Sequence, residues 1–429
     1  MLPNFSRREF LRLGGGVAVT VGVTSCDRRG TGAADQSSST TGSTQVSTSG
    51  STSASTVPST APTGGGGLAF GGRRLVVVQL NGGNDLLNTL PPTDGRYHDL
   101  RPNLALADGD IVSLAGVGDA GLHSSLAPLI DSWDAGRLAF IRGIGFDEPD
   151  RSHFISMDRW WRNDQLTQPG WLGRVVDGLA DEPSPLFGTA LGAGAPVLSG
   201  ATTQPTVIGG SDSFKWVGVD PTWIKDLGSG GNDDLAALAR HAFQRTVQAV
   251  DDFAEITGGA STSDELPTRE GGATIADGLE VAALLLAADA GAQLVVVSAG
   301  GFDTHANQLP VHSNLLADVA AGIVAFLAAI ENAGLSDDVM LVVTSEFGRR
   351  AAENGSGGCD HGAGGLSLAM GSGVKGGMYG EVDLSDLLDG DVRPTIAPQA
   401  LFTDCLDWLR VDAEEVLGSR DDSLGLLRS

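Results

Sequence analysis

At 429 residues, with 41% hydrophobic and 19% charged side chains, the chain has a globular composition and the length of one large or two modest domains. A formal net charge of −26 excludes nucleic acid and an anionic membrane surface as direct partners, because both repel it. Beyond the N-terminus, no run reaches the roughly 18 consecutive apolar residues of a spanning helix.

The first segment reads as an address. "SRREFLR" (Ser6–Arg12) leads into a weakly apolar, Gly-rich stretch, and residues 1–25 resemble a twin-arginine export signal. The segment closes on "VTSC" (Val23–Cys26), which resembles a lipobox with Cys26 as the lipidated residue. An ordinary cleavage region with an incidental cysteine is the alternative. Residues 26–71 are almost wholly Ser, Thr, Gly and Ala, a composition that cannot bury a core and forms a tether. At roughly 5–6 Å × √n it would reach about 35 Å. These features predict an exported, periplasmic or cell-surface protein whose only membrane contact is its lipid anchor. Once Cys26 is set aside, Cys359 and Cys405 remain, a pair that could bridge in an oxidising compartment but no disulfide framework.

From Arg74 onward the texture is that of a folded domain, residues 72–429. "RLVVVQLNGGND" is an apolar, β-branched run that halts at a Gly-Gly turn. "RLAFIRGIGF" (137–146), "AQLVVVSAGGFDTH" (292–305) and "DVMLVVTSEFGRR" (338–350) repeat the scheme, and "GLSLAMGSG" (365–373) reads as a fifth strand. Helical periodicity falls between them, over 122–136, 233–256, 274–291 and 314–334. Strands alternating with helices of this length predict an α/β domain with a largely parallel central sheet flanked by helices. Residues 147–232, rich in Gly, Pro and Trp, read as an irregular cap or insertion.

In open α/β sheets ligands gather beyond the carboxyl ends of the strands. Here those ends carry Asn84 and Asp85, then Asp303 and His305, then Glu346 and Arg349, while Asp360 and His361 precede the fifth strand. A solvated loop explains any one of these; together they predict a metal shell. The lone aromatics and the histidines elsewhere (His98, His123, His241, His312) read as surface or packing residues. Trp160 and Trp161 follow helical spacing and read as core.

The pieces "LNGGNDLLNTLPP", "RSHF", "GGFDTHANQ", "SEFGRR" and "DHG" resemble a Tat-exported bacterial family, the domain of unknown function 1501, within the alkaline phosphatase/sulfatase-like superfamily. The resemblance implies an alkaline-phosphatase-like core and metal-dependent hydrolysis of small anionic phosphate or sulfate esters. It places Asp85 on the metals, and Asp303, His305 and His361 on one ion, for which Zn²⁺ suits best. It places Glu346, with Asp360 or water, on a second ion, where oxygen ligands such as Asp85 and Glu346 suit Mg²⁺, Mn²⁺ or Ca²⁺. Phe347 stands where the superfamily has a histidine. Ser152, ahead of a helix, matches the nucleophile's place or is a plain N-cap. Arg349 either grips an ester oxygen or pairs with a carboxylate. Asn84 either donates to substrate or caps its turn. A surface-tethered binding or structural protein that keeps the metal scaffold without turnover is the rival reading.

Overall fold

The computed structural model describes residues 72–192, 195–209, 234–257, 274–288 and 290–428. The export signal, Cys26 and the tether lie outside the described residues.

Ten strands are described: β1 (Arg74–Leu80), β2 (Ile111–Ser113), β3 (Gly121–His123), β4 (Leu138–Ile144), β5 (Gly188–Gly192), β6 (Thr206–Ile208), β7 (Leu294–Ala299), β8 (Val339–Thr344), β9 (Gly365–Met370) and β10 (Gly377–Tyr379). Eight form one sheet in the order β10-β4-β9-β8-β1-β7-β5-β6; β2 and β3 make a separate two-stranded ribbon. β1 pairs in parallel with β7 (Leu75 opposite Leu294) and with β8 (Leu75 opposite Met340), and β5 joins β7 and β6 in parallel. β9 alone runs against its neighbours β4 and β8. Its N-terminus therefore lies at the edge where the other strands finish, and the "DHG" loop arrives beside the ends of β1, β7 and β8.

Both faces of the central strands are buried, which is why the sequence shows continuous apolar runs rather than alternation. Val76, Val78, Val295, Val297, Leu341 and Val343 pack on one face, against Leu279 and Leu285 of helix α5 (Ile275–Ala287) and Ile323 and Phe326 of helix α6 (Gln308–Asn332). Leu75, Leu294, Val296, Met340 and Val342 pack on the other. They meet Leu172 and Val175 of helix α3 (Trp171–Asp177), and Leu401, Leu406 and Trp408 of helix α7 (Pro398–Leu409). Each such side chain contributes about 1.5–3 kcal/mol by leaving water. Trp160, at the end of helix α2 (His153–Arg162), packs edge-on against Phe146 and Phe402, as its helical spacing predicted.

The five expected strands are present. Five others escape the sequence because they are short: β5 ("GTALG"), β6 and β10 of the main sheet, and β2 and β3 of the ribbon. β5 and β6 lie inside 147–232, so the described part of that stretch is not wholly irregular: it supplies one edge of the sheet and carries α2 and α3. Helix α4 (Asp234–Ile256) matches its expected bounds, and α5 starts at a capping box between Thr274 and Asp277. α6 begins six residues before the expected Asn314. Pro310 falls in its first turn, where a missing N–H costs no helical bond. By length and hydropathy α6 alone among the described helices could cross a membrane, yet one of its faces is packed on α5 and the sheet.

Candidate metal centre

Four side chains converge beyond the sheet edge. Asp303 and His305 follow β7, His361 precedes β9, and His153 enters from the first turn of α2. Ligand-type atoms of His153, Asp303 and His361 lie within 4.8 Å of one another. His305 Nε2 joins them, 2.8 Å from His361 Nε2 and 3.0 Å from Asp303 Oδ1. Asp303 is the hub: its Oδ1 lies 3.0 Å from His361 Nε2, and its Oδ2 lies 3.4 Å from His153 Nε2.

The second nitrogen of each imidazole decides what the first can do. His153 Nδ1 lies 2.7 Å from Glu346 Oε1, His361 Nδ1 lies 2.7 Å from the Arg151 carbonyl, and His305 Nδ1 lies 3.1 Å from Asp360 Oδ1. Carbonyls and carboxylates only accept, so each Nδ1 carries the proton and donates. In its neutral form each ring then turns its Nε2 lone pair toward Asp303. Three lone pairs and a carboxylate facing one another repel unless a cation or protons lie among them. With bonds of about 2.0–2.2 Å, donors around one ion sit roughly 3 Å apart; Asp303, His305 and His361, 2.8–3.0 Å apart, have the spacing of a divalent metal of Zn²⁺ type, with His153 beside them. His153 Nε2 is buried and has no hydrogen-bond partner, consistent with a ligand role.

The charges agree with that assignment. Burial opposes ionisation of Asp303, but the bonds from Arg349 and His361 and the nearby cationic charges together bring its carboxyl down to about 2. The hydrogen bond to Glu346, aided by the charges of Glu346 and Asp303, raises His153 above the ordinary imidazole value despite partial burial.

The surrounding scaffold explains the sequence motifs. The buried Glu346 carboxylate accepts from His153, from the Gly82 amide at 2.8 Å and from the Ser345 hydroxyl at 3.1 Å. Phe347 lies tilted between two rings, 4.9 Å from His153 and 4.8 Å from His361. The Gly-Gly turn is required by this packing: Gly83 has φ +82°, and a Cβ there would stand 2.5 Å from the Phe347 ring. At Gly82 (φ +120°) a Cβ would stand 2.3 Å from the Asp303 amide nitrogen.

Several expected roles are corrected. Asp85 is not at the cluster. Its buried carboxylate pairs with Arg101 at 2.7 Å, accepts from Gln308, and caps helix α1 (Leu86–Thr89) through the Leu87 and Asn88 amides. Burial opposes its charge, yet Arg101 holds its carboxyl below the ordinary range. Glu346 reaches the centre only through His153. The oxygen-rich second site expected from Asp85 and Glu346 is therefore not assembled, since both carboxylates have other partners. Asp360 stands outside, accepting from His305 and from Asn354 at 3.2 Å.

Arg349 is fully buried, and each of its three side-chain nitrogens is engaged. It donates to the carbonyls of Gly82, Gly83 (2.8 Å), Cys359 (2.9 Å) and Phe302 (2.9 Å), and to Asp303 at 2.7 Å. It ties the strand ends together and braces Asp303, so the carboxylate-pairing alternative holds and an ester grip does not. Asn84 is likewise internal: its Oδ1 accepts from His312 at 2.9 Å and its amide nitrogen donates to Thr89. Ser152 precedes α2, but its hydroxyl makes no capping bond; Asp150 Oδ1 instead accepts the Ser152 amide at 2.7 Å. Cys359 and Cys405 are separate buried thiols, and burial pushes Cys359 up to about 12.

His153 is the member of the cluster that the sequence did not reveal. Its signal is "RSHF", where the serine beside it holds the more familiar place of a nucleophile. No strand end announces a residue delivered by a helix start.

An α/β protein with a His- and Asp-rich centre beyond a largely parallel sheet is the class that fold and site define. Residues 162–426, more than half of the chain, match the model of the family described as protein of unknown function (DUF1501), and the chain belongs to that family. The match spans Asp303, His305, Glu346, Arg349, Asp360 and His361 and begins after His153. No curated protein matches the chain. Among solved structures, Ps i-CgsB is similar at 10% identity and a TM-score of 0.40, over 82% of this chain and 75% of that one. The C-terminal periplasmic domain of EcEptC from Escherichia coli is 12% identical at a TM-score of 0.38, over 83% and 88%. A protein in the alkaline phosphatase superfamily from Vibrio parahaemolyticus is 8% identical at 0.36, over 82% and 70%.

Proposed function

We propose that the chain is an exported, metal-dependent hydrolase of small phosphate or sulfate esters, working at Asp303, His153, His305 and His361. One observation carries the reading: three imidazoles, each with Nδ1 fixed by a protein acceptor, aim their Nε2 lone pairs at one carboxylate. A divalent ion held there would supply a Lewis acid for the ester oxygen. The chain's own residues do the rest. Arg349 keeps the Asp303 carboxylate ionised at neutral pH. Glu346, Asp360 and the Arg151 carbonyl hold the three rings in their ligand tautomer. Ser152, beside His153 and without a capping bond, is the nucleophile in this reading.

The experiment is a panel of aryl and alkyl phosphate and sulfate esters with the zinc-loaded chain and its Ser152→Ala variant. Turnover in the wild type, reduced at least about 100-fold in Ser152→Ala with metal content unchanged, supports the reading. Turnover on no ester rejects it. The rival, a metal-holding surface scaffold, draws on the burial of Arg349 and its bonds to the strand-end carbonyls, which turn this cation away from an ester. Under that reading the panel is silent while the ion stays bound. Export with a lipid anchor rests on "SRREFLR" and Cys26. Cys26→Ser should move the protein from the membrane fraction to the soluble one, and unchanged fractionation would reject the anchor.

A further inference from the structure

We propose that Asp391 is a positioning residue for the metal centre, acting through Arg151 on His361 and, through the same loop, on His153. The inference rests on the cluster holding a divalent ion. His361 takes its orientation from an unusual acceptor: a backbone carbonyl, that of Arg151, in the lead-in to α2. A carbonyl in a loop is only as fixed as its residue. Residues 147–152 are exposed or half-exposed, and several of their bonds stay local. Asp150 accepts from the Ser152 amide and from the Ser156 hydroxyl at 2.6 Å, and the Glu148 carbonyl accepts from Arg159. These bonds tie the lead-in to α2 and not to the sheet.

The link to the rest of the molecule is the Arg151 side chain. Its Nε and Nη2 donate to Asp391 Oδ2 at 3.1 and 2.7 Å, and Nη2 also reaches the exposed Asp389 at 3.3 Å. Asp391 is completely buried and cannot follow a moving partner. Its amide donates to the Leu388 carbonyl at 3.0 Å and its carbonyl accepts from the Leu388 amide at 2.9 Å. The next residue back, Gly390, accepts from the Ala351 amide at 3.2 Å, which joins this turn to the loop after β8. A second guanidinium, that of Arg350, faces Asp391 Oδ1 at 3.7 Å. So the turn that carries Asp391 is welded to the "SEFGRR" loop, Asp391 grips Arg151, the Arg151 carbonyl orients His361, and two residues on His153 begins α2. One buried carboxylate thereby sets two ligands that come from different parts of the chain. Outer partners of metal-ligating histidines carry about 10–100-fold in metal affinity, and this one acts a step further out.

Zinc affinity of the full chain, measured by competition with a chromophoric chelator, tests the proposal in the wild type, Asp391→Asn, Arg151→Gln and the double variant. Arg151 is partly exposed, so Arg151→Gln gives a second route if Asp391→Asn fails to fold. Each single variant should bind zinc about 10-fold more weakly or worse, and the double variant no more weakly than the weaker single one, because both cut one link. Imidazole nitrogen NMR of the metal-free protein supplies a readout that lost packing alone would not give: the protonated Nδ1 signal of His361 should be lost in the variants while that of His305 is kept. Single variants with wild-type affinity, or losses that multiply in the double variant, overturn the positioning role. A wild type that binds no zinc instead removes the metal reading on which the role stands.

Discussion

Glu346 shows how much one carboxylate's partners decide. Its position after a buried strand suggested a metal ligand, yet its oxygens face an amide, a hydroxyl and an imidazole N–H. Its effect on an ion held there would be indirect, by fixing the His153 tautomer and by raising that ring's affinity for a proton. A proton and a metal compete for Nε2, so acidification should begin to expel the ion above the ordinary histidine value of about 6.5. Removing the carboxylate's charge with Glu346→Gln should shift that onset to lower pH and weaken metal binding about 10-fold at neutral pH. Chelator competition from pH 5 to 8 measures both; an onset that does not move would contradict the assignment. Asp303 should add nothing to this profile, since at about 2 it stays ionised throughout.

Helix α6 shows the same economy at the scale of an element. It covers one face of the sheet, and its first turn sends Gln308 to Asp85 and His312 to Asn84, bracing the turn after β1 from below. His312 is completely enclosed, and burial brings it down to about 4, so it is neutral in the folded chain at neutral pH. Unfolded, it titrates near 6.5 and binds a proton first. Folding stability should therefore be intact above about pH 6.5 and fall as the pH drops toward 4, by up to about 3 kcal/mol from this residue. Urea denaturation at pH 7 and pH 4.5 should show that loss, and His312→Gln should show it diminished. An equal loss in both proteins would assign it elsewhere. Little of this bracing was legible. The strands and helices could be read because their periodicity is local, Asp303 and His305 because an apolar run ends just before them, and His361 because another begins just after it. Asp85 looked the same in sequence, but its partner Arg101 lies in an unremarked stretch and only the folded chain brings them together. His153 was obscured for the converse reason, since it reaches the centre from a helix start and not from a strand. β5 and β6 were too short, and too poor in β-branched residues at "GTALG", to stand out from a cap.

For the whole molecule, the reversal of β9 within an otherwise parallel sheet is what closes the site. It returns the chain so that "CDHG" meets the ends of β7 and β8, and it stations His361 opposite Asp303. The sheet so arranged gathers acceptors without matching donors, and everything proposed about chemistry requires that a cation resolve that excess. Metal content, read by plasma mass spectrometry after zinc loading and exhaustive dialysis, tests this in the wild type and in Asp303→Ala. About one ion per chain in the wild type, lost in the variant, is the expected result. A wild type that retains no ion, or an Asp303→Ala chain that keeps its full complement, would contradict the account.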